Sequence, residues 1–189
     1  GAGNLLGAEQ HGHITGIGFA AYCEMLEQTI KRLKTGVEVA APEPDPVLEI
    51  PAEAYIPDDY IADPRYKMEL YRRFAEVEYA QRDDLLDEII DRYGDPPKGV
   101  LNLVEVALLR ANARKVGITE IRQKGPEVFF TLHNLNFEAV GAICEDPDYK
   151  KRVQFVASAK VPTLKLKLSA GVDSLRQCKV FVAHYGRVK

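Results

Sequence analysis

"DPPKGVLNLVEVALLRANARKVGITEIRQKGPEVFFTL", residues 95–132, changes its period partway along. Up to Lys115 the pattern is helical, opening near Pro97, a residue suited to a first helical turn. Val100, Leu101, Leu103, Val104, Val106, Ala107, Leu108 and Leu109 leave almost no polar face in the middle, which predicts a central helix covered on all sides. After Gly117 the period falls from 3.6 to 2: "ITEIRQ" and "EVFFTL" alternate as strands do, and Lys124-Gly125-Pro126 between them is a hairpin signal. A buried helix feeding an antiparallel hairpin predicts an α+β fold: a helix-rich first half packed with a small, mainly antiparallel sheet and flanking helices.

On the C-terminal side, "VQFVA" and "TLKLKL" continue the strand pattern. Leu164, Leu166 and Leu168 alternate with Lys165 and Lys167, so one face of that strand is buried and the other wet. Helices are expected at about 136–145 and 171–185. On the N-terminal side, "DDLLDEIIDRYG" carries a stripe of Leu85, Leu86, Ile89, Ile90 and Tyr93, closed by Gly94. "DPRYKMELYRRFAEV" restarts a helix with Asp63 as N-cap and Pro64 at its first position. Its expected inner face holds Met68, Tyr71, Phe74, Ala75 and Glu78, flanked by Leu70 and Val77.

Six of eleven prolines fall at 42, 44, 46, 51, 57 and 64, so residues 37–63 are expected as an extended connector, with Val47–Ile50 able to add a short edge strand. Ahead of it, Phe19, Tyr22, Cys23, Leu26, Ile30 and Leu33 recur at helical spacing, and Gly36 stops that helix. The expected organisation is therefore three parts: 1–36, the connector 37–63, and a domain over 64–189.

The net charge of −3 hides an asymmetry. Residues 43–95 carry 16 acidic and 6 basic side chains, a balance of −10, whereas residues 110–189 carry 7 and 15, a balance of +8. Two solvated surfaces that partly satisfy each other would explain this, as would docking to an oppositely charged partner domain. The basic residues Lys150, Lys151, Arg152, Lys160, Lys165 and Lys167 also raise a nucleic-acid-binding module as the alternative function, although aromatic residues are not interleaved among them for stacking.

The opening stretch, "GAGNLLGAEQHGHITGIG", admits a phosphate-cradling loop, a metal clip or part of a mechanical element. "GAGNLLG" is one residue longer than the dinucleotide fingerprint, and GxxxxGK[ST] is absent. His11 and His13 would need further ligands from elsewhere in a chain whose other histidines are His133 and His184. No GxSxG and no Cys-His context occurs, and Asp83, Asp84, Asp87 and Glu88 are most simply a solvated helix face. No catalytic, cofactor or metal site is expected in this chain. No stretch approaches the roughly 18 apolar residues of a membrane span. Cys23, Cys144 and Cys178 fit no CxxC spacing, and a reduced, cytoplasmic setting is expected.

"GAGNLLGAEQHGHITGIGFAAYCEMLEQTI" resembles the segment past the last helicase motif in the bacterial transcription-repair coupling factor (Mfd) family. "ELYRRFAEV…DDLLDEIIDRYGDPPKGVLNLVEVALLRANARKVGI" resembles the TRCF domain at the C-terminus of the same family. The resemblance covers the helix-rich two-thirds well and the strand-rich third in outline. It implies that residues 1–36 are the tail of the translocation motif and its following helix, with Gly1, Gly3, Asn4, Gly7 and Gln10 on the positions that couple nucleotide state to DNA movement.

Residues 64–189 would then be a regulatory domain lacking the family's catalytic motifs. The full protein implied is an ATP-dependent double-stranded DNA translocase, binding ATP and magnesium in its motor lobes. It would displace stalled RNA polymerase and recruit UvrA. The C-terminal domain would pack on the UvrB-like module of the same chain and mask its UvrA-binding surface. Asp84, Asp87, Glu88 and Asp91 on one side, and Lys150, Lys151 and Arg152 on the other, are the candidates for that latch.

Overall fold

The computed structural model describes residues 45–133, 135–156 and 160–188. The expected helix of residues 17–34 and Gly1, Gly3, Asn4, Gly7 and Gln10 lie outside them. Among the described residues the order is β1 (Val47–Glu49), α1 (Pro64–Glu76), a 3₁₀ turn (Tyr79–Gln81), α2 (Arg82–Tyr93), α3 (Lys98–Lys115), β2 (Ile118–Lys124), β3 (Glu127–Leu132), α4 (Phe137–Glu145), β4 (Val153–Phe155), β5 (Thr163–Lys167) and α5 (Ser174–Val188). This is an α+β fold.

The five strands form one sheet in the order β1-β2-β3-β5-β4. Its pairs are antiparallel except β1 with β2, where Leu48 lies beside Ile121 in parallel register. A parallel pair requires a long crossover, and α1, α2 and α3 provide it. Gly125, at φ 56°, takes the first position of the two-residue β2–β3 turn, a conformation open to glycine.

Alternation divides the sheet into two faces. Leu48, Ile121, Val128, Phe130, Leu164 and Leu166 are buried on one. The Phe181 ring of α5 lies 4.5 Å from that of Phe130, so α5 covers this face, and it packs between α3 and α4. The other face carries charge: Arg122 pairs with Glu49 (2.6 Å) and Glu120 (2.5 Å), and Lys165 with Glu127 (3.0 Å). Helix α3 is buried through its middle, from Leu103 to Ala113 and even at Arg110 (4% exposed), but it is not covered on all sides: Leu101, near its N-terminus, is 38% exposed.

The described part of the proline-rich stretch is a wall of this core. Leu48, Ala54, Ile56 and Ile61 are buried. Asn102 of α3 donates to the Glu53 carbonyl (2.7 Å), and the Ile56 N–H donates to the Tyr71 hydroxyl (3.0 Å). The strap lies so close that a Cβ on Gly99 would stand 2.7 Å from the Tyr55 carbonyl oxygen.

Two faces differ from their sequence reading. In α1 the buried residues are Leu70, Tyr71 and Phe74, with Val77 just beyond; Ala75 and Glu78 are exposed. In α2 Leu85 and Ile89 are buried and Leu86 and Tyr93 pack half-buried against the core, but Ile90 is 42% exposed. A two-helix hairpin lying against one side of a core needs a narrow stripe, and the wider one read from sequence overshoots it. The α1 start matches: Asp63 accepts from the Arg65 N–H (2.8 Å) and Pro64 follows.

Candidate interaction surface

The acidic residues of α2 are placed by what holds the helix. Leu85 and Ile89 point inward. Arg82, at its N-terminus, donates through Nε (3.2 Å) and Nη2 (2.9 Å) to Glu105 of α3, and Lys179 of α5 pairs with the same carboxylate. Arg73 of α1 forks onto Glu88 at 2.7 and 2.6 Å. Arg92 lies over the rings of Tyr66 (5.2 Å) and Tyr93 (5.4 Å), and Gly94, at φ 82°, ends the helix. The inward and lateral faces are thereby clasped.

Asp84, Asp87 and Asp91, at intervals of three and four residues, occupy the remaining exposed face and have no ion-pair partner among the described residues. Glu88 is different. Its hydrogen bonds to Arg73 hold its carboxyl below the ordinary glutamate range and raise Arg73 in turn. The structure thus brings three of the four acidic candidates together as free charge and commits the fourth to the α1–α2 clasp.

The basic candidates separate in the same way. Lys150 and Lys151 are exposed on the turn after α4. Arg152 folds inward, donating through Nε to the Lys167 carbonyl (3.0 Å) and through Nη2 to Gln177 Oε1 (2.8 Å), above the Tyr149 ring. Lys165 is paired on the sheet, while Lys160 and Lys167 are exposed. The basic surplus is spread over a turn, a sheet face and a loop.

Gln177 was not singled out by sequence. Its signal is a lone amide among Leu175, Cys178, Phe181 and Val182 on the inner stripe of α5. It is 9% exposed and four times hydrogen-bonded: Oε1 accepts from Arg152 and from the Ser169 N–H, and Nε2 donates to the Ser169 and Val172 carbonyls.

Burial pushes the Cys178 thiol up to about 12 and raises Cys144 as well, the opposite of what a thiolate nucleophile needs. Among the described residues no group of three or more His, Cys, Asp or Glu side chains is arranged to hold a metal ion, and no helix is long and apolar enough to cross a membrane.

The class this architecture defines is a mixed-sheet α+β domain, helices on one face of the sheet and free charge on helix surfaces. Residues 50–141 match the model of the TRCF domain family. The chain is 37% identical over 134 residues, 70% of its length, to the transcription-repair-coupling factor of Staphylococcus haemolyticus. It is also 37% identical over 126 residues, 66% of its length, to that of Staphylococcus aureus. It spans 11% of the length of these relatives.

A crystal structure of the C-terminal domain of transcription-repair coupling factor superposes with a TM-score of 0.68 at 20% identity, covering 77% of this chain and 94% of that one. The chain belongs to the TRCF domain family and carries the C-terminal domain of a transcription-repair coupling factor.

Proposed function

We propose that this domain is the regulatory latch of a cytoplasmic, ATP-dependent double-stranded DNA translocase that displaces stalled RNA polymerase and recruits nucleotide excision repair. The domain docks on the UvrB-like module of the same chain and masks its UvrA-binding surface until translocation releases it. The observation that carries this reading is the α2 face, where Asp84, Asp87 and Asp91 stand free on a helix clasped along its other sides.

An interface that must open under load has to be modest and polar, and a row of unpaired carboxylates meets a basic surface without committing apolar area. Family membership supports the assignment of the remaining roles. Hydrolysis belongs to motor lobes outside this chain, which bind ATP and magnesium. Gly1, Gly3, Asn4, Gly7 and Gln10 are the tail of the motif that couples nucleotide state to DNA movement.

The test is charge reversal in the full-length protein. Asp87→Lys with Asp91→Lys raises UvrA binding if α2 is the latch, and UvrA binding equal to that of the unmodified protein rejects the assignment.

A further inference from the structure

A second surface lies on α5, away from the acidic helix. An open groove of about 340 Å³ runs between α5 and the turn preceding β4, lined by Tyr149, Arg152, Val172, Arg176, Gln177 and Val180. That volume falls in the range of ligand and side-chain pockets. Its far wall is the loop after β5, turned by Gly171 at φ 76°.

The groove is built in advance of any occupant. Gln177 ties the loop to α5 through Ser169 and Val172, and ties Arg152 to the same amide. Arg152 is further held by the Lys167 carbonyl. Ordering costs that weaken docking to a mobile surface are therefore already met in the free domain.

Its chemistry has two parts. Val172 (45% exposed) and Val180 (55%) are apolar side chains left in solvent. Arg176 is exposed and its guanidinium has no ion-pair partner among the described residues. The exposed stripe of α5 continues the theme, since Arg176, Val180, Ala183 and Arg187 recur at intervals of four, three and four residues. Lys150 and Lys151 stand on the adjoining turn.

Acidic groups in this region are engaged elsewhere or few. Asp173 caps α5 by accepting from the Arg176 N–H (2.9 Å), and Asp146 accepts from the Asp148 N–H (2.8 Å) and pairs with His184 (2.8 Å). Glu145, Asp148 and Asp173 are exposed, fewer than the basic side chains around them.

We propose that this groove is a docking site for an acidic segment of a partner protein, one that lays carboxylates on Arg176 and Arg152 and an apolar anchor residue between Val172 and Val180. A nucleic acid fits less well. The one aromatic ring of the groove, Tyr149, is 7% exposed beneath Arg152 and offers no face for a base to stack on. The site is separate from the α2 latch, and its test does not depend on that reading.

The test uses the 189-residue chain and a fluorescein-labelled peptide of glutamate and aspartate around a central Leu-Phe pair, followed by anisotropy and by amide chemical shifts. Saturable binding is expected, with shifts concentrated at Ser169, Val172, Arg176, Gln177 and Val180. Arg176→Glu weakens it about tenfold and Val180→Ser about threefold, both with otherwise unchanged spectra, while Asp87→Lys leaves it as it was. Three results overturn the proposal: shifts scattered over Lys160, Lys165 and Lys167, equal affinity for a peptide lacking the Leu-Phe pair, or a DNA duplex that occupies the groove as tightly as the peptide.

Discussion

Helices α2 and α5 both lie on the same core, yet they are attached by different physics. Helix α5 buries Leu175, Cys178, Phe181, Val182 and Tyr185, with Phe181 between the rings of Phe130 (4.5 Å) and Tyr149 (5.4 Å). Helix α2 buries Leu85 and Ile89, packs Leu86 and Tyr93 half-buried against the core, and is further held by Arg73, Arg82 and Arg92. Burial contributes most of the free energy of folding, whereas exposed ion pairs contribute little each. Disturbing α2 should therefore cost less than disturbing the buried face of α5.

The sharpest break in this contrast is Phe181→Ala. Removing a fully buried ring from between two aromatic neighbours leaves a cavity, at a cost of about 3–5 kcal/mol. Urea denaturation of the variant shows a collapsed midpoint, or no folded baseline. A loss below about 1 kcal/mol would mean that α5 does not carry the core.

Next in size is Gln177→Ala. The substitution strands the Ser169 N–H and carbonyl, the Val172 carbonyl and one Arg152 nitrogen, for a loss of about 1–3 kcal/mol. Amide exchange at Ser169 and Val172 should quicken by more than the global stability change explains. Uniform quickening across the sheet would show that the amide serves the whole fold and not the loop.

Neither Phe181 nor Gln177 was legible in the sequence, but other parts of the fold were. Apolar runs reveal burial, so α3 and the Leu164–Leu166 alternation were legible. Caps are local, so Asp63-Pro64 was legible too. Strand partners are not local: nothing in "VLEI" says that β1 pairs in parallel with β2 at Ile121, since that contact spans three helices. Nor does a run of Lys150, Lys151 and Arg152 say which of the three turns inward, because the choice is set by the Gln177 amide and the Lys167 carbonyl. The acidic residues of α2 read as a solvated face, and only the position of Arg73 separates Glu88 from its neighbours.

That separation has a pH signature. The Arg73 fork lowers the Glu88 carboxyl in the folded state, so the contribution is fully present above the unfolded value, near about 4.3, and is lost as pH falls through the lower folded value. Asp63 and Asp146 are also lowered, so the quantity to measure is the difference between the native chain and Glu88→Gln. That difference in urea midpoint should shrink from pH 6 to pH 3, and it should shrink in high salt as exposed pairs do. A difference constant with pH would detach Glu88 from the clasp.

The smallest effect is also the most telling for α2. Asp84 sits in the first turn, where the helix dipole favours an acid, but Asp91 sits near the end, where it does not. Asp87 and Asp91 are four residues apart, a like-charge spacing that repels. Asp91→Asn should therefore stabilise the domain, and Asp84→Asn should destabilise it, each by no more than about 0.5 kcal/mol. Both shifts can be read from chemical denaturation at low salt. A helix selected for stability alone would gain from losing Asp91, so its presence is consistent with a demand from outside the fold. If Asp91→Asn proves destabilising, the carboxylate has an internal partner, and the α2 face is scaffold like α5.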